Sequence, residues 1–281
     1  NIRSFLFRVF SPLLLIFLIS YLSSFFNFRV DPSIPGPGPG SVSGNNSESE
    51  KIKDIKSIIR EFRWDISENK TIITQLNLSA KDIKTEMNNF GVSLKIKHPS
   101  YIAKKGFMMT REGLTINYKT VFRNSIPFFK QLPAVVTYSA DLEKNEDPAT
   151  CFLKFAQNIR YKIPPKFLKG KYIMEFLPPL NCLYRNYGDC DTKSVLLANL
   201  LQGASYKEEK MAVIVLKGFG IFHAILAIKR IPLPGMLSFY IDRTGPFIPM
   251  ETTGTGWMPG FSNSRVLLCL QNSQFRFIKL F

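Results

Sequence analysis

The segment from Cys190 to Gln202 constrains the fold most, because it is too apolar to be a surface helix. Glycine often ends a helix, and Gly203 follows this segment directly. A helix that is apolar on most sides is buried. The sequence therefore predicts a central buried helix, and its apolar residues are Val195, Leu196, Leu197, Leu200 and Leu201.

Short apolar segments follow this helix, and turns separate them. They are MAVIVLK, FHAILAIK, LSFYID and FIPMET, joined by GFG, PLPG and RTGP. Short apolar runs divided by Gly and Pro are typical of an antiparallel sheet. Upstream, an Asp-Pro pair at Asp147 predicts the start of another helix. We therefore expect an α+β domain over residues 146–281, with the buried helix packed on an antiparallel sheet.

Cys190 stands at the start of the predicted buried helix, in YGDCDTKS. Its neighbours are polar, which is unusual for a cysteine that serves only as core. The positive end of a helix dipole lowers the pKa of a thiol and favours the nucleophilic thiolate. Gly188 suits the tight turn that brings such a residue to a helix start. The sequence therefore predicts a reactive thiol at Cys190.

His223 begins the apolar strand FHAILAIK and is the expected base for Cys190. The other histidine, His98, precedes a proline in a Lys-rich segment and is expected to be an exposed loop residue. A third group is needed to hold the imidazole in its productive tautomer. Glu251, in PMETT at a strand end, is the first choice for this acid, and Asp242, in YIDRTG, is the reserve.

At these residues the chain resembles the transglutaminase-like superfamily, which has a papain-like fold. The family nucleophile motif is matched by Gly188, Cys190, Asp191 and Ser194, its histidine by His223 in HAILAI, and its acid by Glu251 in METT. Glutamate replaces the more common aspartate and reaches further by one methylene. GTGWMPG also resembles the tail that follows the acid in some bacterial members. The resemblance covers about residues 146–262.

The resemblance implies acyl transfer through a thioester on Cys190, with a peptide or protein as substrate. By the same resemblance, Gln157 and Tyr187 are the two candidates for a second oxyanion donor beside the backbone N–H of Cys190. The expected activity is that of a cysteine peptidase or amidase. A crosslinking transglutaminase is the alternative within the enzymes, and a binding domain for peptide or cell-wall polymer is the alternative outside them.

The N-terminal residues predict a membrane anchor. Residues 9–28 carry no charge, and this length suits a helix that crosses a bilayer. No A-x-A-like cleavage site precedes Arg29, so we expect an uncleaved anchor within residues 1–30. Two arginines before the segment and one just after it favour an N-terminus inside the cell, so we expect the bulk of the chain outside the cytoplasm, in the periplasm or at the cell surface. Residues 31–50 are rich in Pro, Gly and Ser and predict a tether.

Residues 51–145 are expected to form a small β-rich accessory region that shapes access to the catalytic part. A helix is predicted at Lys51–Arg63 from the spacing of its isoleucines. Strands are predicted around residues 72–78, around residues 92–96, at Gly113–Val121 and at Ala134–Ser139.

The charge and the cysteine content of the chain limit the partners and cofactors that we expect. The net charge of +16 includes no basic run of five or more residues, and no nucleic-acid-binding motif is present. We therefore expect a solvated basic surface and no nucleic-acid partner. The four cysteines, at 151, 182, 190 and 269, form no CxxC pair, so neither a zinc site nor another cofactor is expected. They allow at most one intramolecular disulfide if Cys190 stays a thiol.

Overall fold

The structure is a computed structural model that describes residues 56–93, 98–142, 147–207, 210–240 and 245–280. The helices are α1 (Ala80–Asn89), α2 (Pro99–Lys104), α3 (Tyr118–Ser125), α4 (Leu132–Ala140), α5 (Pro148–Asn158), α6 (Pro179–Arg185), α7 (Cys190–Gly203) and α8 (Ser264–Gln271), with a 3-10 turn at Ile126–Phe129. The strands are β1 (Ser57–Ser67), β2 (Lys70–Ser79), β3 (Phe107–Thr110), β4 (Gly113–Ile116), β5 (Arg160–Tyr161), β6 (Phe167–Leu168), β7 (Lys171–Tyr172), β8 (Tyr187–Gly188), β9 (Met211–Gly218), β10 (Ile221–Lys229), β11 (Phe239–Tyr240), β12 (Pro246–Met250) and β13 (Phe275–Lys279).

The C-terminal strands form a five-stranded sheet in the order β11-β12-β10-β9-β13, and every pair in it is antiparallel. The mixed α+β architecture and the antiparallel sheet are therefore confirmed. The sequence did not predict β13 or α8. Strand β13 lies at the edge beside β9, where Phe277 pairs with Ile214.

Helix α7 lies at the centre of the molecule, as its composition predicted. Its residues from Thr192 to Leu201 are all buried. The carboxylate of Asp189 caps the helix by accepting a hydrogen bond from the N–H of Thr192 at 3.3 Å. The helix packs against β10, so Cys190, its first residue, lies at the end of the helix that meets the sheet.

Alternation along β10 decides what each face of the sheet covers. Ala224, Leu226 and Ile228 belong to the main core that includes α7, whereas Ile225 and Ala227 pack in a second core with α8. Successive side chains of a strand point to opposite faces. The sheet is therefore covered on both faces, with α7 on one face and α8 on the other.

Helix α5 begins where the Asp-Pro pair predicted. Asp147 accepts a hydrogen bond from the N–H of Ala149 at 3.2 Å, and Pro148 is the first helical residue. One side of the helix packs against α7. This packing places Gln157, near the end of α5, beside α7.

The predicted helix at Lys51–Arg63 is wrong. Residues 57–67 form strand β1, which pairs with β2 in an antiparallel hairpin. Phe62 and Trp64 alternate inward, whereas Ile59, which the helical spacing included, is 67% exposed. Alternation with a period of two is the pattern of a strand with one buried face. The strand predicted at residues 72–78 is confirmed within β2.

The predicted strand at Ala134–Ser139 is also wrong, because these residues lie in helix α4. Leu132, Val136 and Ala140 are buried there and recur every fourth residue, so they share one face of a helix. The strand predicted at Gly113–Val121 ends at Ile116, where Asn117 caps α3 by accepting a hydrogen bond from the N–H of Thr120.

Of the residues predicted as a strand around 92–96, Val92 forms a single bridge to Tyr172, and residues 94–96 lie outside the described ranges. The described part of the region before residue 146 thus mixes hairpins and helices and is not β-rich.

The described residues between 56 and 280 cluster as one compact unit. Helix α5 packs against β1 and against α4, across the predicted boundary at residues 145–146. The predicted anchor at residues 1–30 and the tether at residues 31–50 lie outside the described residues. Within the described residues, no helix has the length and apolarity to cross a bilayer.

Candidate active site

Cys190 is partly exposed, whereas the other three cysteines are buried, and all four are free thiols. The first turn of α7 lies against the start of β10: the hydroxyl of Ser194 donates to the carbonyl of Ala224 at 3.3 Å. The N–H of Ala224 in turn donates a hydrogen bond to the sulfur of Cys190. Ala224 directly follows His223, the predicted base, in β10.

The predicted lowering of the Cys190 pKa is wrong for the resting protein. Burial raises the pKa of this thiol to about 12, and the carboxyl groups of Asp191 and Asp189 raise it further. The N–H groups of Ala224 and Asp191 lower the pKa of the thiol by hydrogen bonding to the sulfur, but burial and the two carboxyl groups have the larger effect. Cys190 is therefore a neutral thiol near pH 7, and no thiolate is formed in advance.

The two acids that flank Cys190 form a linked pair. Asp191 shares a hydrogen bond with Asp189 and accepts another from the hydroxyl of Tyr118 at 2.9 Å. Burial and the neighbouring Asp189 raise the pKa of Asp191 well above its usual range. Tyr118 belongs to α3, so the region before residue 146 reaches the immediate surroundings of the thiol.

His223 and Glu251 are paired, as the sequence predicted for the base and its acid. The Nε2 atom of His223 lies 2.9 Å from Oε2 and 3.1 Å from Oε1 of Glu251. The carboxylate is fully buried, and the imidazole is largely buried. The longer glutamate side chain therefore reaches the histidine from the end of β12.

The environment keeps Glu251 ionised. Burial alone would raise the pKa of this carboxyl, but the hydrogen bond and charge of His223, with donors from Thr253, hold the pKa below its usual value. The N–H and the hydroxyl of Thr253 donate to Oε1 at 2.9 and 2.6 Å, and the hydroxyl of Ser262 donates to Oε2 at 3.1 Å. An ionised carboxylate only accepts hydrogen bonds, so Nε2 of His223 carries the proton in this pair.

The two predicted oxyanion donors lie in different surroundings. The side-chain Nε2 of Gln157 donates to the carbonyls of Glu251 and Trp257, both at 2.8 Å. Both N–H groups of that amide are thus committed, which leaves none for an oxyanion. The ring of Tyr187 faces the ammonium of Lys162, whose Nζ lies 5.1 Å from the ring centroid.

The reserve acid, Asp242, lies outside the described residues. No group of three or more His, Cys, Asp and Glu side chains within the described ranges is placed to share a metal ion.

Sequence reasoning missed three residues that support the site. Thr253 and Ser262 hold the carboxylate of Glu251, and Lys193 on α7 donates to carbonyls at the end of α5. The threonine lies two residues after the acid, and this spacing is a readable signal. A lysine within an otherwise buried helix is another signal. Nothing in the sequence around Ser262 indicates its role.

Comparison with known proteins adds little to this geometry. No protein-family model matches the sequence, and no curated protein matches it. A solved structure of LapG from Legionella pneumophila, in a calcium-bound form, matches at 10% identity over 69% of this chain and 81% of that chain, with a TM-score of 0.31. Backbones that differ to this degree carry no argument about function. The chemistry is therefore argued from the residues of this chain.

Proposed function

We propose that this protein is a membrane-anchored cysteine peptidase or amidase of the transglutaminase-like type. One observation carries the proposal: Nε2 of His223 lies 2.9 Å from the buried carboxylate of Glu251. A partly exposed thiol, Cys190, begins the helix that packs against the strand of this histidine. A nucleophile, a base and an acid that orients the base are the parts that acyl transfer requires.

In the first half of the reaction, Nδ1 of His223 takes the thiol proton as the sulfur of Cys190 attacks the amide carbonyl carbon. The negative charge then moves to the carbonyl oxygen, where the N–H of Cys190 is the first donor proposed for it. The C–N bond breaks when the imidazolium returns the proton to the leaving amine. A thioester on Cys190 remains.

In the second half, water attacks the thioester and gives its proton to His223. The C–S bond breaks, the acid product leaves, and the proton returns to the sulfur. Glu251 stabilises the imidazolium in both halves because it stays ionised. The high thiol pKa means that proton transfer to His223 accompanies the attack on bound substrate and does not precede it.

The proposal is tested by capture of the acyl-enzyme. The full chain is incubated with a cell-surface extract and quenched with acid, and peptides that contain Cys190 are analysed by mass spectrometry. A thioester adduct on Cys190 is expected, and Cys190→Ala should abolish both the adduct and the release of amine. Adding a primary amine in excess distinguishes hydrolysis, in which water still accepts the acyl group, from crosslinking.

Two acid variants complete this test. Glu251→Gln should lower kcat by about two to four orders of magnitude with the fold intact, because the histidine loses the anion that fixes its tautomer. Asp242→Asn serves as the matched control and should cost little. If both variants cost little while the adduct still forms, Cys190 and His223 act as a dyad, and the reverse result would move the role of the acid to Asp242. If no adduct forms on Cys190, the domain is a binding module for peptide or cell-wall polymer.

A further inference from the structure

Two buried polar residues lie behind the site and have no part in the mechanism given above. Gln157, near the end of α5, is 3% exposed, and Lys193, on α7, is fully buried. Apolar residues of similar size would fill these places at a lower desolvation cost. The hydrogen bonds of Gln157 and Lys193 therefore indicate what these two residues do.

The side chain of Gln157 joins the two ends of the segment that carries the acid. One amide nitrogen donates to the carbonyl of Glu251 and to the carbonyl of Trp257, each at 2.8 Å. These carbonyls bracket the turn that includes Thr253, which itself donates to the Glu251 carboxylate. Gln157 therefore fixes the backbone from which both the acid and one of its supporting donors project.

Lys193 joins Gln157 to the nucleophile helix. Its ammonium donates to the backbone carbonyls of Gln157 at 3.0 Å and of Ile159 at 2.9 Å. These carbonyls lie at the C-terminal end of α5, where a helix leaves acceptors unpaired and carries partial negative charge. Lys193 follows Cys190 by three positions on α7, so one hydrogen-bonded path runs from the nucleophile helix through α5 to the acid.

We propose that Lys193 and Gln157 are positioning residues that fasten the Glu251 segment to the nucleophile helix and so set the distance between the acid-base pair and the thiol. The proposal rests on the proposed function for its catalytic consequence. Its structural part concerns the His223–Glu251 hydrogen bond and is independent of activity.

The test uses shape-conserving variants of the full chain. Gln157→Met and Lys193→Met keep similar volume but remove the donors. Each should lower kcat by about 10- to 100-fold, as loss of a supporting hydrogen bond does around other sites, with KM within about twofold. Asn158→Ala is the matched control, since its side chain donates only to Lys154 within α5. This control should keep the wild-type kcat.

A second readout separates positioning from general stability. The Nε2 proton of His223, donated to Glu251, should give a downfield NMR resonance. Gln157→Met should shift or broaden this resonance, whereas Asn158→Ala should leave it unchanged. If both variants keep this resonance and the wild-type kcat, the positioning proposal is wrong. It is also wrong if the loss of kcat merely follows the melting temperature. If Lys193→Met does not fold, Gln157→Met alone tests the positioning proposal, because this variant keeps the backbone carbonyl that Lys193 binds. If the wild type itself forms no acyl-enzyme, the proposed function fails, and the resonance still tests the positioning.

Discussion

At the scale of single residues, Cys190 is subject to two opposing influences. The first-turn position at a helix N-terminus stabilises a thiolate, but burial and two adjacent carboxyl groups destabilise it more strongly. Sequence position reveals the helix start, whereas desolvation depends on what packs over the sulfur. The direction of the shift means that the ionised fraction of Cys190 is small at pH 7 and rises only in alkaline solution.

We predict that Asp191→Asn lowers the pKa of Cys190. The asparagine keeps an acceptor for Tyr118 and removes a negative charge beside the sulfur. Alkylation of Cys190 by iodoacetamide should accelerate about three- to tenfold, which corresponds to roughly half to one pKa unit. The gain should be largest at alkaline pH, because the raised pKa of Asp191 leaves it uncharged at lower pH. Rates measured against pH, with mass spectrometry to assign the cysteine, give the result.

Asp65→Asn, an equal change of charge at an exposed position of β1, is the control and should leave the profile unchanged. If Cys190 is alkylated fast at neutral pH, and Asp191→Asn does not change that rate, the thiolate exists in the resting protein. The sequence-based expectation would then be restored.

At the scale of elements, the β1–β2 hairpin supports the helix that carries Gln157. Trp64 is 1% exposed, and its indole N–H donates to the hydroxyl of Thr74 at 2.9 Å. Its ring meets that of Phe155 on α5 edge to face, with 5.7 Å between centroids. The hairpin is therefore part of the core that holds the site, although it lies before the predicted catalytic region.

We predict that Trp64→Ala destabilises the whole folded part by about 3–5 kcal/mol, because it opens a large cavity between β1 and α5. Urea unfolding, followed by circular dichroism and by residual activity, should show one transition shifted to lower urea in both signals. Ile73→Ala, on the exposed face of β2, should change stability by less than about 0.5 kcal/mol. If activity survives after the hairpin signal is lost, the hairpin is an independent accessory unit.

At the scale of the whole molecule, the proposed arrangement holds the folded part outside the cytoplasm on a tether. Mild proteolysis of intact cells or spheroplasts should release a folded fragment that begins within residues 36–50, because an exposed Pro, Gly and Ser-rich segment is cut before a packed domain. Immunoblotting and N-terminal sequencing of the released fragment give the measurement. A variant without residues 9–28 should no longer sediment with membranes. Full-length protein in the soluble fraction, or protection from external protease, would contradict the anchor or its orientation.

Local signals determined the framework of the C-terminal part. Each of these features depends on a few neighbouring residues, so periodicity and capping predicted it. They are the apolar residues of α7, the Asp147 cap of α5 and the alternating strands. The expected pairing of His223 with Glu251 came first from their places at a strand start and a strand end, and then from the resemblance of short motifs. The error at β1 arose because Ile59 and Phe62 also fit a helical spacing. Pairing with β2 makes this segment a strand and gives it a single buried face.

Only the tertiary structure decided the protonation of Cys190 and the role of Gln157. The thiol is desolvated in the packed protein and is influenced by Asp191, which Tyr118 contacts from α3. The amide of Gln157 is taken by carbonyls that lie about a hundred residues further along the chain. Burial and long-range hydrogen bonds exist only after distant segments meet, and no local pattern of residues encodes them.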